Sequence, residues 1–462
     1  MAAFAEHAGT GRTEMSQTPG GTSASPAGDP ATASPMDDAP QATPISRQII
    51  VLSLIAVAVG LLAGAGATVF VAVEHHLQNL LWEDVPEALG HEQAPVWLVL
   101  VLLVTGAVIT FVAEKLPGKG GHTPLHGFGL DIGPREIVSV VIAALGSLSF
   151  GAVLGPEAPL MAIGTALGAL AFRDPSKPIR QVMMIVGAMA AVGAIFGNPL
   201  VTCVLMLEFA MLAGPRMATP LILMPALAGM ATSYVLQVGV AQWSGLGESQ
   251  LAVPGLAPYP EVQFADLAVS VPLAILVAVV AMAARLGAQR VAEFAARSRL
   301  TTMVGAAVVV ALAAIAVDAI TGGGLELVLF SGQSAMPDYL AITSIGTAVV
   351  VLLGKFIGYT ASLGSGFRGG AIFPAVALGV IMATGTTLLV GGTSTSALAA
   401  VGIAAGTAAC MRMPFTALLL GVMLTYPAGG ATTVLAIIGT ILGLATRLAG
   451  ERFAPELAPP TH

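Results

Sequence analysis

Long apolar runs, broken at short intervals by glycine, proline and a few charges, fill the chain from about residue 46 to 450. Residues 1–44 hold no such run. They are rich in Ala, Thr, Ser, Pro and Gly, and they read as a disordered tail rather than a signal peptide because no cleavable hydrophobic region is present. The first apolar run spans Ile49 to Val73 and the second Ala94 to Ala113. Others follow at roughly 137–154, 157–172, 182–196, 199–213 and 219–239. After a Gly/Pro-rich loop from Trp243 to Pro260, the runs resume at roughly 264–288, 302–320, 342–360, 371–391, 396–410, 414–426 and 430–448. None keeps the two-residue alternation of an outer-membrane barrel strand, so the pattern predicts an all-α membrane protein. A perpendicular span needs about 20 residues. Several runs are shorter, which predicts half-spans or re-entrant helices with ends buried in protein.

The runs repeat. Gly155-Pro156-Glu157-Ala158-Pro159 lines up without a gap on Gly370-Ala371-Ile372-Phe373-Pro374, and Ala162 and Gly164 fall on Ala377 and Gly379. At the same spacing Val186-Gly187 meets Val401-Gly402 and Pro199 meets Pro414. Two copies of one membrane unit, each broken by short Gly/Pro segments, mark a transporter-type fold with its binding site at the repeat interface. The predicted organisation is a tail (1–45), a first membrane repeat (46–240), a connecting loop (241–262), a second membrane repeat (263–450) and a short tail (451–462).

Composition excludes an ordinary soluble domain: 56% of residues are hydrophobic and only 9% charged. The net charge of -7 says little about a pore, because Glu6, Glu14, Asp29, Asp37 and Asp38 stand against Arg12 alone in the tail. Arg47 precedes the first run, the following loop carries Glu83, Asp84, Glu87 and Glu92, and Lys115 and Lys119 follow the second run. The positive-inside tendency then puts the N-terminus in the cytoplasm of a plasma (inner) membrane protein. Cys203 and Cys410 lie within apolar runs and read as buried thiols.

Chemistry concentrates at the breaks. At Gly155-Pro156-Glu157 proline suits the first helical position and glutamate the first turn, so a simple N-terminal cap is one reading. A carboxylate at membrane depth is costly, however, and usually functional. A helix N-terminus gathers free N–H groups into an anion site, and a tethered carboxylate there competes with a mobile anion for the same donors. Such a carboxylate is a gate that protonation opens. The matching break, Gly369 to Pro374, offers the amides of Ala371 and Ile372, and a third, Lys119-Gly120-Gly121-His122-Thr123-Pro124, again sets glycines before a proline.

With these motifs the chain resembles the CLC chloride channels and chloride/proton exchangers across roughly residues 46–450. The family's Gly-Lys/Arg-Glu-Gly-Pro appears as Gly155-Pro156-Glu157-Ala158-Pro159, its Gly-x-Phe-x-Pro loosely as Gly370-Ala371-Ile372-Phe373-Pro374, and its Gly-Ser-Gly-Ile-Pro as Gly120-Gly121-His122-Thr123-Pro124. The stretch from Asn198 to Glu208 is similar to the family's long helix with an acidic end. The resemblance implies two inverted halves with broken and tilted helices around an anion path, one path in each subunit of a homodimer. It implies Glu157 as the gating residue and an anion-binding set of Gly120, Gly121, His122, Gly155, Pro156, Gly370, Ala371, Ile372 and Phe373.

Departures from the family pattern bear on mechanism. Gly121 stands where the family usually has an anion-coordinating serine, and no tyrosine follows Tyr426. Exchangers typically carry two adjacent acids at the end of the long helix; here the pair reads Glu208-Phe209, and phenylalanine carries no proton. Glu208 reads either as a buried helix-end carboxylate or as an internal acid. The expectation is a passive chloride or small-anion channel, with a proton-coupled exchanger as the alternative. His122 reads as a local hydrogen-bonding residue, and Arg368 as a vestibule charge that replaces the attraction lost where Pro156 stands. No catalytic couple or metal-ligand cluster lies within the spans, so neither an enzyme, a cofactor, a metal nor a nucleic-acid partner is expected.

Overall fold

The computed structural model describes residues 45–126, 132–172, 174, 178–213, 219–244, 252–454 and 456. The tail expected at 1–45 falls outside them up to residue 44, as do the middle of the connecting loop and the end of the 451–462 segment. The first half builds α1 (Ile45–Asn79), α2 (Val96–Ala113), α3 (Ile137–Leu148), α4 (Glu157–Gly168), α5 (Pro178–Phe196), α6 (Pro199–Ala213) and α7 (Pro220–Ser244). The second builds α8 (Phe264–Arg297), α9 (Arg299–Thr321), α10 (Ile345–Ser365), α11 (Ile372–Val390), α12 (Thr395–Met411), α13 (Pro414–Leu424) and α14 (Thr432–Phe453). Among the described residues nine helices are long and apolar enough to cross a membrane, and α3, α4, α6, α12 and α13 are shorter. The protein is an integral membrane protein built almost wholly of helix.

The two series correspond in order, and the 215-residue spacing has a steric basis. Gly164 of α4 abuts the backbone of Gly187 of α5, so that a Cβ on either would strike the other's carbonyl. At the equivalent positions, Gly379 of α11 abuts Gly402 of α12 in the same way. Without a hydrophobic drive between helices in lipid, such close backbone approach supplies the packing. Both copies therefore keep glycine where their helices cross.

Helix ends differ from the apolar runs for identifiable reasons. α1 continues past Val73 because Glu74 is buried and receives Nε2 of Gln78, one turn on, at 2.5 Å. α8 continues past residue 288 on polar sequence, with Arg290 and Glu293 paired at 4.0 Å in the exposed last turns. α3 stops at Leu148, short of the predicted 154. The chain then turns through residues 149–151 and leads to Gly155, held by a bond from the Val153 amide to Ser362 Oγ at 3.0 Å.

Charged residues tie one end of the molecule together. Glu114, just after α2, binds Arg299 at the α8–α9 junction and Arg368 after α10, each at 2.8 Å. The described part of the connecting loop is fastened to the second half: Val253 donates to the Leu424 carbonyl at 2.8 Å, and Tyr259 donates to Asp266 at 2.8 Å.

Candidate functional site

Two non-helical segments meet, one from each half. Gly155 and Gly370 form an antiparallel bridge, Gly155 N–H donating to the Gly370 carbonyl at 2.9 Å and Gly370 N–H to the Gly155 carbonyl at 2.5 Å. Each segment turns at once into a helix, α4 or α11, so two helix N-termini converge. Pro156 sits as the cap residue of α4 with φ −81° and ψ 0°. Ala371 holds the same place before α11.

Glu157, the first residue of α4, is completely buried. Its Oε1 accepts the amide of Phe373, in the first turn of α11, at 3.0 Å, with the Ile372 amide close by. Its Oε2 is buried and has no hydrogen-bond partner among the described residues. The carboxylate fills the space in which a Cβ on Gly155 or Gly370 would lie, so the glycines at these positions make room for it. The donor it engages is Phe373; Ala371 contributes its carbonyl, which accepts the Tyr359 hydroxyl at 3.1 Å.

Cavities lie on either side of this carboxylate in sequence. Leu154, Pro156 and Phe373 line one of about 830 Å³, together with polar residues that include Glu74, Gln78 and Gln237. Ala158 and Pro159 line a much smaller chamber, about 20 Å³, with Gly120, Gly121, His122 and Arg368. The residue before Glu157 therefore faces one space and the residue after it the other.

At the small chamber the glycine amides are already engaged: Gly120 donates to Ser139 Oγ at 3.3 Å and Gly121 to the Gly118 carbonyl at 2.8 Å. The half-buried His122 completes that wall. Arg368 is far more enclosed than a vestibule charge, at 5% exposure. Its amide donates to Ser147 Oγ at 2.8 Å, its Nε to the Gly120 carbonyl at 3.0 Å, and its Nη2 to Glu114 and the Lys119 carbonyl at 2.8 Å each.

Glu208 lies apart from this site. Its Oε1 accepts the amide of Phe415 at 2.8 Å, and its Oε2 accepts the amide and hydroxyl of Thr416 at 2.7 and 2.6 Å. It thus caps the N-terminus of α13. Phe209, its neighbour, packs against the apolar core.

The sequence reading missed Lys355 and Tyr359, although a signal was present. Lys355, Tyr359 and Ser362 recur at i, i+4 and i+7 along the apolar α10, a polar stripe that marks an inward face. All three are buried. Lys355 Nζ gathers the carbonyls of Val328, Leu329 and Phe330 at 3.0 to 3.1 Å, and Phe330 lines the large cavity. Tyr359 contacts Cys410 at 3.9 Å and lies within electrostatic reach of Glu157 and Arg285.

Comparison with known proteins agrees with this architecture. The family model described as voltage gated chloride channel matches residues 121–447. The chain belongs to the CLC family. Its relatives include the putative ion-transport protein YfeO of Shigella flexneri, 27% identical over 354 residues that cover 73% of this chain and 79% of that protein. YfeO of Escherichia coli strain 55989 is likewise 27% identical, over 351 residues. Among solved structures, a slow cyanobacterial Cl⁻/H⁺ antiporter superposes with a TM-score of 0.70 at 17% identity, over 87% of this chain and 95% of that one. A CLC-type fluoride/proton antiporter gives 0.67 at 18% identity, over 87% and 96%. These likenesses establish the CLC fold, and family membership makes the chain an anion transport protein of the membrane.

Proposed function

We propose that this CLC protein is a passive channel for chloride or a related small anion, gated by Glu157. The observation that carries the reading is the buried carboxylate at the junction of two converging helix N-termini, between residues that line two separate cavities. An ionised Glu157 takes the α11 donors that a mobile anion needs; a protonated one surrenders its claim on them. The anion-binding set is Gly120, Gly121, His122, Gly155, Pro156, Gly370, Ala371, Ile372 and Phe373, with Phe373 as the donor the gate engages.

Passive rather than proton-coupled transport is supported by Glu208 and Phe209. Coupling requires an acid that exchanges protons with Glu157, and both oxygens of Glu208 already serve α13. The orientation with a cytoplasmic N-terminus is supported by the shared end that holds Glu114, Lys115, Arg297 and Arg299. As the family resemblance implies, the assembly is a homodimer with one path per subunit, each built from the repeats at 46–240 and 263–450. The decisive experiment reconstitutes the protein in liposomes and records anion flux and internal pH together. Passive flux without uphill proton movement is the expected result; proton pumping driven by a chloride gradient would replace the channel with an exchanger.

A further inference from the structure

The large cavity carries a charge that does not suit an anion. Among the described residues on its wall stand one carboxylate, Glu74, and neither lysine nor arginine. Lys355 is not on the wall, and its ammonium is engaged by the carbonyls of Val328, Leu329 and Phe330. Glu74 is 5% exposed. Its Oε1 accepts the Gln78 side-chain amide, whereas its Oε2 has no hydrogen-bond partner among the described residues; the mostly exposed His75 brings Nε2 only to 3.9 Å. A buried carboxylate oxygen without a donor is costly and calls for a cation. A metal ion is a poor match, because no three His, Cys, Asp or Glu side chains converge among the described residues. Much of the remaining wall is aromatic or apolar, with Tyr234, Phe330 and Phe373 beside Val71 and Ile195.

We propose that this cavity is a binding site for an organic ammonium ion with an apolar body, its charged head on Glu74 and its hydrocarbon against the aromatic side chains. A volume of about 830 Å³ falls in the range of pockets that enclose small organic molecules, which are mostly apolar with a few placed polar groups. Aromatic faces attract ammonium groups as well as hydrocarbon. One carboxylate and no basic partner select a cation over a neutral or acidic molecule of the same shape. Leu154, Pro156 and Phe373 share the wall, so a seated ligand stands against the residues that flank Glu157 and obstructs anions on that side. The obstruction rests on the reading of Glu157 and its surroundings as the anion path; the binding does not.

Phenethylammonium serves as the probe, titrated calorimetrically against the full chain in detergent at pH 8, where a lysine-like amine is charged and an ordinary histidine is not. The neutral and anionic controls, close to it in shape, are 2-phenylethanol and 3-phenylpropionate. The ammonium is expected to bind at least tenfold more tightly than the alcohol, and the carboxylate not at all. Glu74→Gln is expected to bring the ammonium down to the alcohol's affinity. No binding of the ammonium, equal binding of ammonium and alcohol by the wild type, or a preference that survives in Glu74→Gln would overturn the proposal. Because the wild type decides the first two points alone, misfolding of the variant does not protect the idea. In liposomes the ammonium is expected to inhibit anion flux at the concentrations at which it binds. Binding without inhibition would keep the site and overturn the obstruction, so the two ideas fail separately.

Discussion

Glu208 and Thr416 are joined twice, through the amide at 2.7 Å and the hydroxyl at 2.6 Å, across the boundary between the two halves of the chain. A second relation of the same kind joins Glu157 to Phe373. Each carboxylate of the first half thus serves the N-terminus of a helix in the second, but one is saturated with donors and the other keeps a free oxygen.

Replacing the saturated carboxylate tests its structural role. Glu208→Ala leaves two amides and a hydroxyl without their acceptor, a loss of about 3 kcal/mol. The expected readout is a lower midpoint of thermal unfolding in detergent, with flux per folded protein little changed. An unaltered midpoint would remove the cap from the account of stability.

Glu157→Gln is expected to raise basal anion flux and flatten its pH dependence. In the wild type, falling pH is expected to neutralise the carboxylate and free the α11 donors, so flux is expected to rise as pH falls. Glutamine has no charge to lose and is already in the competing-free state. Liposome flux measured across pH 4–8 checks this, and a mutant with the wild-type pH profile would exclude Glu157 as the gate.

Gly370→Ala separates gate mechanics from packing. A Cβ at 370 would occupy the space of the Glu157 carboxylate, so the side chain must leave the α11 N-terminus. The expected phenotype is that of Glu157→Gln: high flux with weak pH dependence. Gly164→Ala meets the Gly187 backbone instead, and its expected effect is a loss of folded protein by size-exclusion chromatography without a change in gating of what survives.

For coupling, an imposed chloride gradient is expected to drive no uphill proton movement, and Phe209→Glu alone is expected not to install it, because residue 209 packs against the core while 208 faces α13. Uphill pumping by the wild type that Glu157→Gln abolishes would establish an exchanger. If Glu208→Gln abolished it too, Glu208 would be the internal proton acceptor.

Much of this architecture is legible from local pattern. The 215-residue spacing is readable because the glycines at 164, 187, 379 and 402 answer a steric demand that no other side chain meets. Helix ends are less legible, as at Glu74, where burial and a neighbour one turn away overrode the charge that looked like a stop. Long-range pairings are not readable at all. Nothing around Arg368 announces Glu114, 254 residues earlier, and nothing around Glu208 announces Thr416, 208 residues later. Tyr359 was within reach of a periodicity argument, but the apolar run around it reads as an ordinary span.

The bridge between Gly155 and Gly370 has a consequence for speed. Two main-chain bonds hold the converging helix ends together where the two halves meet, so parting them means breaking both bonds at once. Rocking of one half against the other belongs to the microsecond-to-millisecond range, whereas rotation of a single side chain is orders of magnitude faster. On the proposed gating by Glu157, with the backbone fixed, the moving part would be one carboxylate, and the delay in opening would be the wait for a proton rather than for a domain. Amide hydrogen exchange reports this directly: the N–H groups of Gly155 and Gly370 are expected to be among the slowest in the chain at pH values where the path is open and where it is closed.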